Sequence, residues 1–228
     1  MIFIAEIGMN HNGNMGLIFE LVKQASLSGA NIAKFQLGWR CGKGEINQLG
    51  TEEINLIKKC CLYHNIEPMF SIITEEALQL ANQFEFNCFK IASRTVIDKP
   101  DLAKAIIGLG KKTFVSLGMW DKSEKPFGFK DNIEYLWCKS NYPLLPWEIK
   151  DFPKTFNESD FVGYSDHSVG IDIPLMAITR GAKVIEKHFT LDKSDTTIRD
   201  HALSATPSEF SDLVRIGKAI RKNLDLGI

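Results

Sequence analysis

The chain carries almost no surplus charge: 27 lysines and arginines stand against 28 aspartates and glutamates, a net charge of −1. No run of like charge breaks that balance, so no nucleic-acid or membrane-surface partner is expected. Long apolar runs are also missing, and with them any sequence signal for a membrane-spanning helix. The N-terminus enters MIFIAEIG directly, too short and too soon acidic for a secretory leader. Cysteine is sparse and odd in number: Cys41, Cys60, Cys61, Cys88 and Cys138, with no C-x-x-C pair. That usage excludes a disulfide framework and fits reduced thiols in a cytoplasmic protein. No glycine-rich dinucleotide fingerprint occurs either, which argues against an open nucleotide-binding sheet.

What the chain does contain is alternation. Strand-like segments occur at 2–8, 32–38, 67–73, 88–93, 112–118, 135–141, 162–168 and 184–190. Helical periodicity fills most of the intervals, around 14–29, 51–65, 75–83, 100–109 and 170–180, and again at 207–223. Asn14 reads as an N-cap, Gly29 as a stop and Pro100 as a helix start. Eight strands without a linker predict an α/β fold, a (β/α)8 TIM barrel occupying 1–228 as one compact domain. Segment 119–134, with Pro126 and Gly128, makes a poor helix, so trimmed helices and loops are expected there.

In such barrels the C-terminal strand ends line the active face. Polar residues gather near those ends: Glu6, Lys34 and Gln36, Lys90 and Ser93, Ser116, 139–142, 165–167 and 186–188. Seven of eight strands doing so predicts a polar funnel, because buried charge needs a partner or a function. His167 and His188 end adjacent strands, where two neutral imidazoles suit a transition-metal ion. Asp166 or Glu186 is then the candidate to orient a ring. Two histidines hydrogen-bonded into the rim would leave the same pattern. His11 reads as a turn residue with Asn12 and Gly13, His64 as solvated, and His201 as within reach of the site. Lys34 and Lys90 sit among apolar neighbours in strands two and four. With Ser93, Ser116, Ser140 and Tyr142 they suggest a phosphate or carboxylate cradle; a Schiff-base lysine is the competing reading.

The stretches IAEIGMNHNGNMGLIFELVKQASLSGANIAKFQ, FKIAS, FVSLGM, CKSNYP, GYSDHSVG, GAKVIEKHFTLD and RDH, with a final helix near TPSEF, follow one another in order. On them the chain resembles the sialic acid synthase family, which includes N-acetylneuraminate, legionaminate and pseudaminate synthases and a spore-coat polysaccharide protein. The resemblance implies a TIM barrel that condenses phosphoenolpyruvate with the open-chain aldehyde of an N-acetylated hexosamine, assisted by Mn2+ or Mg2+. It implies that His167 and His188 ligate the metal and that Lys34, Lys90, Ser93, Ser116 and Tyr142 bind phosphoenolpyruvate. Ser140 would stand in the same phosphate-binding strand, with Gln36 and Ser165 completing the substrate set. Glu6 and Asp200 would face the acceptor sugar or assist proton transfer, and Glu186 would support the metal shell.

Three departures accompany it. The family reads a glycine–glutamate pair after strand four where this chain has Arg94 and Thr95, so a general base is lost and a cation is expected in the funnel. The sequence ends after one helix, where the resemblance leads one to expect an antifreeze-like domain. The loop at 38–50, with Trp39, is short. Trp39, Trp120 and Trp147 read as exposed loop aromatics that cover a sugar or a neighbouring subunit. A homodimer through barrel faces is a further expectation. Two other functions stay open: a regulatory or split-enzyme barrel that binds without turnover, and a metal-dependent aldolase or lyase.

Overall fold

The computed structural model describes residues 1–38, 45 and 48–227; Trp39 and Cys41 lie outside them. Eight parallel strands close into a barrel in sequence order, as expected. They are β1 (Ile2–Gly8), β2 (Ile32–Leu37), β3 (Glu67–Ile72), β4 (Cys88–Ile91), β5 (Lys112–Ser116), β6 (Ile133–Cys138), β7 (Gly163–Asp166) and β8 (Val184–His188). Closure is set by β1 pairing with β8, in a register that places Glu6 opposite His188.

The helices are α1 (Met15–Leu27), α2 (Thr51–Tyr63), α3 (Glu75–Ala81), α4 (Ser93–Asp98), α5 (Pro100–Gly108), α6 (Asp172–Thr179) and α7 (Pro207–Asp225). The expected start of α1 holds, with Asn14 Oδ1 accepting from the Gly16 amide at 2.9 Å. A capping box starts α7: Thr206 Oγ1 accepts from Glu209 N, and Glu209 Oε2 accepts from Thr206 N. Apolar helix faces and the outer faces of the strands form one continuous core.

The sequence reading ran most strands too far at their C-terminal ends. β4 stops at Ile91, and Ser93 opens the unforeseen helix α4. A break at Lys99 separates it from α5, because the residue before Pro100 is driven out of helical geometry. No helix forms over 119–132, and only a 3-10 turn at Pro146–Glu148 interrupts the β6–β7 connection. These are the trimmed units the sequence pointed to.

A second, separate apolar cluster fills the closed end of the barrel: Ile4, Ile32, Met69, Cys88, Phe114, Leu136 and Val184. Seven strands each give one residue. In β7 the corresponding place is Gly163, where a Cβ would lie 1.9 Å from the Val184 carbonyl oxygen. Glycine is required there because the strands approach too closely for any side chain.

Candidate active site

Two residues beyond each member of that apolar plug, on the same face, lies a polar one. The layer is Glu6, Lys34, Ser71, Lys90, Ser116, Cys138, Ser165 and Glu186, and all eight are buried. The third strand, which the sequence reading left out, thus contributes Ser71. Its period-two spacing from Met69 was the available signal.

Inside this layer four charged groups interlock. Lys34 Nζ lies 2.8 Å from Glu6 Oε2 and 3.4 Å from Glu186 Oε1, and donates to Ser71 Oγ at 3.1 Å. Lys90 Nζ lies 3.6 Å from Glu186 Oε2. Ser165 Oγ donates to Glu186 Oε1, and Gln36 Nε2 donates to Glu6 Oε1. Burial alone would raise the Glu186 carboxyl, yet Lys34 and Lys90, with help from His188 and His167, bring it down to about 2. Burial raises the Glu6 carboxyl above its ordinary value despite Lys34, and the Glu186 charge adds to the rise. Burial also lowers Lys90, whereas the two carboxylates lift Lys34 in spite of it. The shortest ion pair, Lys34–Glu6, therefore holds the carboxyl that is pushed toward its neutral form. Glu186 lies between two ammonium groups, while Glu6 sees one and the repulsion of Glu186. Two lysines and two carboxylates thus interlock in the throat, with Glu186 held ionised by both lysines.

Above this layer stand the two histidines. Their ring centroids are 5.4 Å apart. His167 Nδ1 lies 2.8 Å from the Lys139 carbonyl oxygen, which can only accept, so that nitrogen donates and the ring is oriented by the bond. Burial lowers His188 to about 4, so its imidazole is neutral at pH 7, and its Nδ1 has no hydrogen-bond partner among the described residues. Asp200 Oδ2 is 3.8 Å from that nitrogen, outside hydrogen-bond range. Two imidazoles, one oriented by a carbonyl and the other with an orphan buried nitrogen, are a donor set that would suit a divalent cation. Among the described residues no set of three His, Cys, Asp or Glu side chains forms a preformed cage. The pair would leave most coordination positions to water or substrate.

The remaining expected residues gather around this mouth. Tyr142 packs on His167 at 4.1 Å between centroids and edge-on to His188 at 6.3 Å. Ser93 Oγ accepts from the Gly118 amide, linking the β4 and β5 ends. A Cβ on Gly118 would meet Ser140 Oγ at 2.6 Å and Cys138 Sγ at 2.9 Å, so glycine lets the β5 end close on half-buried Ser140. Ser116 Oγ is buried and has no partner among the described residues.

Several expectations need correction. Asp166 orients neither histidine: it faces outward, accepting from Tyr164 Oη, Ser168 and Lys187. Lys187, the middle of three consecutive ionisable residues, faces outward with it. Arg94 brings no cation into the funnel; it is exposed on α4 and pairs with Asp98 at 3.7 Å. His64 caps α2, half-buried against Phe19 and Tyr63. His201 stays outside the site, bonded to Thr190 and Asn12. His11 does tighten its turn, accepting from the Gly13 amide at 3.1 Å, and is fully buried. Trp147 is exposed, but Trp120 is half-buried and donates to the Glu124 carbonyl.

Two neighbours of the histidines escaped the sequence reading. Cys138 Sγ lies 3.9 Å from His167 Nδ1; burial opposes ionisation of the thiol, but His167 and Lys90 outweigh it and lower its pKa. Arg199 lies over the Tyr142 ring. Cys138 was legible as the residue two beyond Leu136; Arg199 stood in the RDH stretch without a role of its own.

A closed parallel barrel with buried charges and paired histidines at the C-terminal strand ends is a TIM barrel with a candidate active site in the usual place. The chain belongs to the NeuB family, whose pattern matches residues 44–228. It is 32% identical to the N,N'-diacetyllegionaminic acid synthase of Campylobacter jejuni over 266 aligned positions, covering 100% of this chain and 78% of that one. It is 36% identical to the uncharacterized protein MJ1065 of Methanocaldococcus jannaschii, covering 98% of this chain and 72% of that one. The crystal structure of the N-acetylneuraminic acid (sialic acid) synthetase of Leptospira borgpetersenii superposes with a TM-score of 0.85 at 29% identity, covering 98% of this chain and 84% of that one. The Campylobacter alignment is longer than the chain's 228 residues, so that relative carries residues this chain omits.

Proposed function

We propose that the chain is a synthase of the N-acylneuraminate type, condensing phosphoenolpyruvate with the open-chain aldehyde of an N-acetylated hexosamine to give a nonulosonate and phosphate. The observation that carries this reading is the throat itself: two buried lysines interlocked with two buried carboxylates, directly beneath two histidine rings 5.4 Å apart. Lys34 and Lys90 neutralise the donor's carboxylate and phosphate. Ser93, Ser116, Ser140 and Tyr142 hold its oxygens so that C3 faces the aldehyde carbon. The C3–C1 bond forms, a water adds at C2, and the C2–O bond to phosphate breaks. Protons pass to the new alkoxide and from the water. Glu6, inclined toward its protonated form, and Asp200 at the rim are the groups placed to move them. A divalent cation (Mn2+ or Mg2+) at His167 and His188 would supply Lewis-acid polarisation of the acceptor carbonyl.

Incubation with phosphoenolpyruvate, Mn2+ and a panel of N-acetylhexosamines should release phosphate in step with formation of a 2-keto sugar acid. Silence with every acceptor would refute the assignment. One observation favours a second reading, a barrel that binds phosphoenolpyruvate with little turnover. Thr95 is buried in the first turn of α4, where the resemblance leads one to expect a glutamate base. A missing general base costs about 10²–10⁴-fold in rate. On the first reading Thr95→Glu leaves kcat within a few-fold of wild type. A gain of about 100-fold or more, with phosphoenolpyruvate affinity unchanged by calorimetry, would establish the second.

A further inference from the structure

Arg199 is largely exposed, its side chain 67% accessible, and its ion-pair partner is the very next residue, Asp200. Asp200 is by contrast mostly buried, its side chain 12% accessible, so the pair runs from solvent into the mouth of the site. Among the described residues the Arg199 guanidinium contacts a ring and a carboxylate. Cζ stands 4.4 Å from the centroid of Tyr142, and Nε donates to Asp200 Oδ1 at 3.2 Å. Each contact leads to a different histidine. Tyr142 packs against His167 with 4.1 Å between ring centroids. Asp200 turns its other oxygen, Oδ2, toward His188 Nδ1 at 3.8 Å. Tyr142 belongs to the segment after β6 and Arg199 to the segment after β8, so the cation spans the end of β7, from which His167 projects.

We propose that Arg199 is a positioning residue that, through Tyr142 on one side and Asp200 on the other, fixes the separation and tilt of the His167 and His188 rings. The planar guanidinium suits both tasks, lying over an aromatic face while its edge donates to a carboxylate. Lysine can keep the charge but not both contacts at once. The consequence for a bound cation rests on the metal-assisted reading proposed above; the clasp itself is made of protein groups alone. Outer-sphere groups that orient metal-binding histidines typically govern affinity by about 10–100-fold.

The test compares wild type, Arg199→Met, which keeps the length of the stem without its charge, and Arg199→Lys. Long-range 1H–15N spectra of the metal-free protein resolve the imidazoles of a chain with only five histidines. Arg199→Met is expected to move the ring signals of both His167 and His188 and to leave His64 in place. Its Mn2+ affinity, read as free Mn2+ by electron paramagnetic resonance, is expected to fall about tenfold or more, with Arg199→Lys between Met and wild type. The denaturation midpoint is expected to stay unchanged, separating positioning from a general loss of structure. Ring signals that do not move, or that move for one histidine alone, overturn the clasp. If both signals move but Mn2+ binding survives His167→Ala and His188→Ala, the clasp stands and the metal-assisted reading falls instead.

Discussion

Adjacent residues of β8 place two buried charge clusters on opposite sides of one sheet. Outside the barrel, Lys187 is fully buried and bonds Asp166 Oδ2 at 2.6 Å and the Ser168 carbonyl. Asp166 Oδ1 also accepts from Tyr164 Oη, Ser168 N and Ser168 Oγ at 2.6–2.9 Å. Inside, Glu186 shares two lysines at 3.4 and 3.6 Å, and Ser116 Oγ and His188 Nδ1 nearby have no hydrogen-bond partner among the described residues. The outer cluster is saturated and acts as a rivet between strands. The inner one is looser, with longer ion pairs to Glu186 and unused polar atoms, as expected of a surface that completes itself with ligand.

Stability measurements can break that distinction. Lys187→Ala leaves the Asp166 carboxylate buried and unpaired, a change that costs about 3–5 kcal/mol. Denaturant unfolding should show it as the largest loss among the variants in these two clusters, and Lys187→Met combined with Asp166→Asn should regain much of it. A single variant with an unchanged midpoint would deny the rivet.

The acid limb comes next. Glu186 has its folded value depressed to about 2 from the ordinary 4.5. Its contribution to stability is therefore complete above about pH 4.5 and is lost as pH falls toward about 2. Glu186→Gln should flatten the dependence of unfolding free energy on pH across that window. A variant curve parallel to wild type would remove the claim that two lysines hold this carboxylate ionised.

Smallest in stability, and most telling for function, is Lys90→Met. Burial already disfavours the Lys90 charge, so unfolding should change by no more than about 1 kcal/mol, the scale of an ordinary single substitution. Phosphoenolpyruvate affinity by calorimetry should fall at least about tenfold, equivalent to about 1.4 kcal/mol. Equal losses in stability and affinity would make the inner cluster a rivet too.

Much of this site was readable in the chain because a strand repeats every two residues. The step from Ile4 to Glu6, Ile32 to Lys34, Cys88 to Lys90 and Val184 to Glu186 places an apolar plug and a polar throat on one face without any coordinates. His167 and His188 were legible for the same reason. Asp166 and Lys187 were misassigned because strand ends were read as lining the mouth wholesale, although alternation sends every second residue outward. Arg94 was misplaced because β4 was read through Ser93, whereas a helix begins there and turns the next residue to solvent. Arg199 stood in the RDH stretch, but its contact was not legible there, since its partner Tyr142 lies in another loop.

The sequence by itself determined the alternation of strands and helices, the layering inside the barrel and the identity of most groups at its mouth, all consequences of short-range periodicity. Only the tertiary structure decided which face of each strand became the interior and which charges met. Glu6 reaches Lys34, and Asn10 reaches the Phe189 carbonyl 179 residues away, only once β1 has closed on β8. The physical reason is that side-chain direction follows from the local backbone, whereas a partner distant in sequence exists only after the barrel's closure brings it near.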